Sequence, residues 1–375
     1  MRRSPFALVL AFASQMGHVA HGVPAAAVAA ASLLTTIFVG RANAAAPSAP
    51  EVVEAWLLPR YDALVAGARA NREAWQGFCA APSEAGIAVL QQRFGAVSDA
   101  WAAVEFITFG PVMLSLRPDR MNLFPERRNA IGRSVAELIG DPTDERLKPE
   151  RFGRLSAAAQ GLPALERLLF DDGAAAALLA GPEAGRRCAI GLAIATNIET
   201  IATEIRQGWG DRKDGLLAQL VAGTSDPVFF PDPTALMSQI VTDLAGAYQR
   251  VVDQRLLAVL GKTPDDAKPL AADRRRSGRS KETIVAMIAS ADSLGRQLGA
   301  ALDPKGRAAL DKALDAADAA AAGLPDDIGE AAQSAAGRKA LQEAAATFKA
   351  AQASIANPLA AGLGVALGFN ALDGD

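Results

Sequence analysis

The chain has 375 residues, enough for one large domain or two small ones with a sizeable core. Its 38 basic and 41 acidic residues leave a net charge of −3, without the basic excess that nucleic-acid partners select. Two histidines and two cysteines are its whole supply of the side chains that most often hold zinc.

The N-terminal stretch has the grammar of an export signal. Arg2 and Arg3 precede apolar residues 6–13, and a second apolar run from Pro24 to Gly40 ends at Arg41 and the small-residue site Ala42-Asn43-Ala44. Residues 1–44 are read as a signal peptide. The stretch from Met16 is a complete signal by itself, so a start at Met16 stands beside Met1. An uncleaved anchor is the alternative, but the run from Pro24 to Gly40 is short of the ~20 apolar residues a span needs. The expected product is periplasmic, with no stable membrane insertion after the signal is removed. Removal takes His18, His21, three arginines and no acid, leaving 35 basic residues against 41 acidic ones, a net charge of −6. A mature chain without imidazole has no HExxH zinc site and no Ser-His-Asp triad. In an oxidising compartment Cys79 and Cys188 are expected to be joined, which closes a loop of about 110 residues worth up to roughly 4–5 kcal/mol. Two buried thiols are the alternative.

Helical periodicity governs the rest. Ser83 sits at a helix start, and Leu90, Phe94, Val97, Trp101 and Val104 recur at three- and four-residue steps. Cys188, Leu192, Ala195, Ile198, Ile201 and Ile205 repeat the pattern, as do Leu236, Ile240 and Leu244, and then Leu341, Phe348 and Ile355. Trp56, Trp75, Trp101 and Trp209 fall mostly at such positions and read as core rather than as sugar platforms. Asp232-Pro233 and Asp303-Pro304 each place a capping carboxylate before a proline suited to a first helical turn. With no β-branched runs of period two, the mature chain is expected to be all-α. Residues 224–233 divide it into two helical-bundle halves, 45–230 and 231–375. The alanine-rich stretch 309–356 reads as close-packed helices. Residues 109–125 and 261–281 resist the pattern and read as long loops.

Three groups carry chemistry. Residues 160–170, QGLPALERLLF, interrupt a helical run with Gly161 and Pro163. Either a new helix begins at Pro163 or a kink there exposes backbone groups; Glu166, one turn into the new helix, is then either a ligand or base or simply an acid near a helix N-terminus. Arg117, Arg120, Arg127 and Arg128 lie in or just beyond the first loop, and Arg274, Arg275, Arg276 and Arg279 in the second. Guanidinium groups grip carboxylates and phosphates bidentately, so converging loops would form an anion pocket. Solvated charge is the alternative, with Asp119 and Glu126 neutralising part of the group. Ser277 and Ser280 neighbour the arginines, but no motif supplies a base, so no catalytic residue is assigned.

At QGLPALERLLF the chain resembles the imelysin-like family, the imelysin peptidase family that includes iron-regulated periplasmic proteins. The likeness extends through Phe109-Gly110-Pro111-Val112, RPDRMNLFPERR from Arg117 to Arg128, RRSGRS from Arg275 to Ser280, and the ending GLGVALGFNALDGD from Gly362 to Asp375. It implies two bundle-like halves from a probable duplication, a site where they meet, and a role in iron uptake. The family's proposed metal motif is GxHxxE: Gly161 and Glu166 match it and Pro163 replaces the histidine. That leaves Glu166 as a weak metal candidate. The resulting expectation is a periplasmic binding protein that holds a small anionic ligand, such as an iron chelate, between its halves and works with an envelope iron-transport component. The binding residues would be Glu166, Arg117, Arg120, Arg127, Arg276, Arg279, Ser277, Gly161 and Pro163, with Asn370 and Asp373 from the family ending. A metallopeptidase with carboxylate ligands and an envelope interaction scaffold are the alternatives.

Overall fold

Apolar stripes at helical spacing, with few competing β-branched runs, make each long segment bury one face of a helix. The computed structural model describes residues 46–368 apart from 225, 227, 231, 233 and 234, and these belong to one compact unit. Among the described residues there is no strand, only an isolated bridge between Asp226 and Phe230. The expected export segment 1–44, the ligand candidates Asn370 and Asp373, and Pro233 of the second cap lie outside them.

The first bundle contains α1 (Leu58–Ala80), α2 (Glu84–Ala102), α3 (Ala130–Gly140), α4 (Gly161–Phe170) and α5 (Ala184–Trp209). Helix α1 packs on α2 and α5, while α4 packs on α2, α3 and α5. The expected stripe is internal: Leu90, Phe94, Val97, Trp101 and Val104 are all buried, as are Ile198, Ile201, Ile205 and all four tryptophans. By length and composition α5 would suit a membrane span, but here it is the central core helix of this bundle. Ser83 caps α2 by accepting from the Gly86 N–H at 3.1 Å.

The second bundle contains α6 (Leu236–Arg250), α7 (Ser280–Gly299), α8 (Pro304–Ala322) and α9 (Ala335–Ser354). Helix α8 lies between α7 and α9, and α6 closes against α7 and α9. Asp303 accepts from the Lys305 and Gly306 N–H groups at 2.9 and 2.8 Å, with Pro304 in the first turn, as the cap pattern predicts. The alanine-rich segment is close-packed helix, with Ala317, Ala321, Ala344 and Ala345 buried. A π-helical turn, Val251–Leu257, continues α6.

The expected loop 109–125 is instead partly helical: a 3-10 segment, Gly110–Leu116, is broken at Leu114, Ser115 and Leu116, the last two left-handed, before a short α-helix, Arg117–Met121. Much of it is buried, and local helical bonds satisfy backbone groups that water cannot reach. Residues 261–279 remain broken into two short 3-10 pieces and turns. The expected interruption at Gly161 and Pro163 is a helix start rather than a kink. A 3-10 turn, Ala157–Ala159, and an extended Gln160 precede α4, which places Pro163 in its first turn. Proline is tolerated there because its missing N–H would have no partner within the helix.

The bundles meet where α2 packs on α7. Trp56 Nε1 donates to Ser293 Oγ at 2.8 Å, and Arg60 Nε donates to Ser290 Oγ at 2.8 Å. Asp243 of α6 accepts from the Thr108 backbone N–H and hydroxyl, both at 2.6 Å; burial nonetheless pushes its carboxyl up to about 6. Asp292 of α7 accepts from the Tyr248 hydroxyl. Burial pushes the Asp292 carboxyl up to about 8, with the neighbouring Asp318 carboxylate adding to the rise and the Tyr248 bond opposing it.

Cys79 and Cys188 form a disulfide between the end of α1 and α5, with Cα atoms 5.7 Å apart and a sequence separation of 109. Replacing both cysteines by serine should lower the unfolding free energy by about 2–5 kcal/mol, measured by urea titration, because the unfolded chain regains the freedom of the closed loop. Asp292 is more readily protonated in the folded state than in the unfolded chain, so its stabilising contribution is complete below pH ~4 and is lost as pH rises through about 8. Asp292→Asn should therefore flatten the fall in thermal midpoint between pH 5 and 9, raising the pH 9 value by at least ~2 °C.

Candidate functional site

The site rests on a buried network of charges. Arg255, carried by the π-helical turn, is 2 % exposed and donates from Nη2 to Glu105 Oε2 at 2.6 Å and Asp273 Oδ2 at 3.1 Å. Arg274 follows Asp273 and binds its other oxygen at 3.0 Å. Arg274 also reaches Ser98 Oγ at 2.9 Å and Asn122 Oδ1 at 3.0 Å. Asn122 completes the ring by donating to Glu105 Oε1 at 3.0 Å. Burial opposes ionisation of Glu105, but Arg255, Arg250 and Arg274 together hold its carboxyl below the usual range. One network thus ties α2, the segment after it, the 117–129 stretch and the 270–279 stretch to the second bundle. Arg274 adopts φ +53°, a left-handed conformation uncommon for a side-chain-bearing residue, and these bonds hold it there.

Above this network lies a cavity of about 380 Å³. Leu123 to Glu126 and Asn129 form one wall, Pro163, Glu166 and Arg167 of α4 the second, and residues 270–276 the third. Glu166 is 3 % exposed, and its Oε1 accepts from the Ser277 backbone N–H at 3.0 Å and hydroxyl at 2.7 Å. Its other oxygen has no bonded partner among the described residues. Arg167 spans Glu126, Asn129 and Asp171, and Arg276 Nε binds Asp171 at 2.5 Å.

Arg275 differs from the other arginines of the cavity. Arg167, Arg274 and Arg276 each have a carboxylate within ion-pair distance, whereas Arg275 has none among the described residues. Its Nε is buried without a hydrogen-bond acceptor. Burial, with Arg276 and Arg167 close by, lowers its affinity for a proton, and Glu166 and Asp171 offset only part of this. An anion entering the cavity would supply the missing counter-charge.

The predicted ligand residues divide accordingly. Glu166, Arg276 and Pro163 line this cavity, and Ser277 bonds Glu166 without itself lining it. Gly161 lies behind it with φ +73°, and a Cβ there would stand 2.4 Å from the Arg120 carbonyl oxygen, so the backbone crossing requires glycine. Arg117, Arg120, Arg127 and Arg279 do not line the cavity. Arg117 is buried against Glu204 and the Pro111 carbonyl, and Arg279 grips both oxygens of Asp99 on α2, so these two act as internal ties. Arg127 is exposed. Arg120 points to Gln160 and Asn197 in a different part of the first bundle. Of the arginines expected to bind, only Arg276 lines this cavity, and those of the first segment lie elsewhere. The expected binding set also leaves Arg275 out. The adjacent RRR run marks the region without ranking its members.

A family model described as Imelysin matches residues 57–355. The chain belongs to the imelysin family. Two solved structures share the fold of this imelysin-family chain. One is an imelysin-like protein from Psychrobacter arcticum 273-4, with 20% identity, a TM-score of 0.70, and coverage of 86% of this chain and 96% of that one. The other is described as an iron-regulated protein A precursor from Parabacteroides distasonis ATCC 8503, with 15% identity, a TM-score of 0.65, and coverage of 84% and 97%. No curated protein matches the chain.

Among the described residues no three carboxylate, thiol or imidazole groups cluster closely enough to hold an ion. Arg255 is the keystone of the site. Arg255→Met should destabilise the protein by about 3–5 kcal/mol in urea titration, because it leaves Glu105 buried without its ion pair and Asp273 with Arg274 alone. Adding Glu105→Gln and Asp273→Asn should restore part of that loss.

Proposed function

We propose that this imelysin-family protein is an exported periplasmic binding protein that captures an anionic iron(III) chelate in the seam cavity and serves an envelope iron-transport partner. Arg275, a guanidinium at a cavity wall without a carboxylate partner among the described residues, is the observation that carries this reading. Arg167 and Arg276 add positive potential, while the free oxygen of Glu166 offers an acceptor for a ligand hydroxyl. A chelate brings its own metal donors, so the absence of a metal-binding cluster among the described residues is no obstacle. Leu123 and Pro125 on one wall and Leu270 on another give the pocket apolar surface for the ligand's carbon skeleton. The export grammar of residues 1–44, and the description of one structural neighbour as an iron-regulated precursor, support the setting. Binding requires no bond cleavage, and no catalytic base is assigned.

Calorimetry with Fe(III)-citrate tests the reading. The wild type should bind one equivalent. Arg275→Ala should weaken binding by about tenfold or more, the value of one ion pair near 1.4 kcal/mol, with a thermal midpoint within ~2 °C of wild type. Glu166→Ala should also weaken it. No heat from the wild type, or equal affinity in all three proteins, would remove the chelate reading.

A further inference from the structure

A second cavity, of about 420 Å³, lies inside the first bundle, away from the seam. Its walls are mainly apolar: Leu147 and Phe152 on one side, Leu192 and Ala193 of α5 on the other. Arg120 stands at one end, held by neutral groups. Its Nε donates to Gln160 Oε1 at 3.1 Å, one terminal nitrogen donates to Asn197 Oδ1 at 3.1 Å, and the other makes a long contact with the Ser115 carbonyl at 3.5 Å. A guanidinium has five N–H donors, so these three bonds leave two unused. Asn197 in turn donates to Gln160, and Gln160 to the Leu155 carbonyl, which fixes both amides in their accepting orientation.

No carboxylate lies within ion-pair distance of Arg120 among the described residues. Glu204 also lines the cavity, but it is committed to Arg117 at 2.9 Å. The local balance is two guanidinium groups to one carboxylate. Burial and the nearby Arg117 make the Arg120 cation less comfortable than in water, and Glu204 offsets this only in part. The inner surface next to Arg120 is kept open by Gly153, where a Cβ would come within 3.1 Å of the Arg120 Nη2 atom. Gly153 has ordinary helical dihedrals, so a side chain there would fill space without straining the backbone.

We infer that this cavity binds a monocarboxylate with an apolar tail, its carboxylate on the two free Arg120 donors and its chain along Phe152 and Leu192. A bidentate carboxylate matches the planar fork of the guanidinium, and the apolar walls accept methylene groups rather than a second charge. A polyanionic chelate fits poorly here, since Glu204 and the apolar lining would repel or desolvate its remaining charges. This site is separate from the seam cavity, and its failure or success leaves the chelate reading untouched.

Titration of the full mature protein with decanoate and with decanol, followed by calorimetry, tests the assignment. Decanoate should bind with one-to-one stoichiometry, and decanol at least tenfold more weakly. Arg120→Gln should reduce decanoate affinity by tenfold or more, and Gly153→Leu should abolish binding by filling the cavity. Arg275→Ala, at the seam, should leave decanoate affinity unchanged. Should Arg120→Gln fail to fold, the decanoate-to-decanol ratio and Gly153→Leu decide alone. Equal binding of decanoate and decanol, no decanoate binding, or a loss caused by Arg275→Ala but not by Gly153→Leu would overturn the inference.

Discussion

The guanidinium of Arg255 sits almost wholly out of water between two carboxylates from distant parts of the chain. A buried ion set of this kind contributes little net stability, because desolvation consumes most of the attraction. Its value lies in arrangement. Glu105 follows α2, Asp273 precedes α7, and Asn122 belongs to the stretch between the bundle helices, so one cation dictates how three chain segments meet. The seam cavity is the space left above that meeting point.

Electrostatic bookkeeping then separates the arginines that hold the molecule together from those that face open space. Arg117, Arg274 and Arg279 are consumed by Glu204, Asp273 and Asp99, and their removal would be felt as lost architecture. Arg275 and Arg120 have no such partner among the described residues, and each borders a cavity. A negatively charged protein can therefore hold two separate sites for anions, because potential within a small concavity depends on the nearest unpaired group more than on the total.

The helical architecture is legible in the sequence because apolar spacing is a local property. The stripe from Leu90 to Val104 and the cap at Asp303 need no knowledge of distant residues. The convergence of QGLPALE with the RRSGRS segment could also be anticipated, since both depart from the helical pattern and must go somewhere functional or irregular. Pairing of individual charges is another matter. Arg255 lies in the run VVDQRLLAVL and looks like a solvated residue on an amphipathic helix, and nothing local reveals that Glu105, 150 positions earlier, faces it. For the same reason, four clustered arginines cannot be ranked without knowing where Asp99 and Asp171 lie. The break at Gly161 leaves two local readings open, a new helix or a kink, for a related cause. A proline after a glycine marks a boundary, but whether it ends one helix or opens the next depends on the Arg120 and Met121 carbonyls packed against Gly161.

The π-helical turn Val251–Leu257 gives Arg255 an unusual kind of vulnerability. Such a turn accommodates one residue more than an ordinary helix does, and deleting one residue there would let the backbone relax to regular α geometry. The helix beyond the turn would then keep its register, but residues within the turn, Arg255 among them, would shift around the axis by up to about 100°. Local repair would thus swing the cation out of register with Glu105 and Asp273. The wider turn thus sets the direction of the cation, not the course of the helix beyond it.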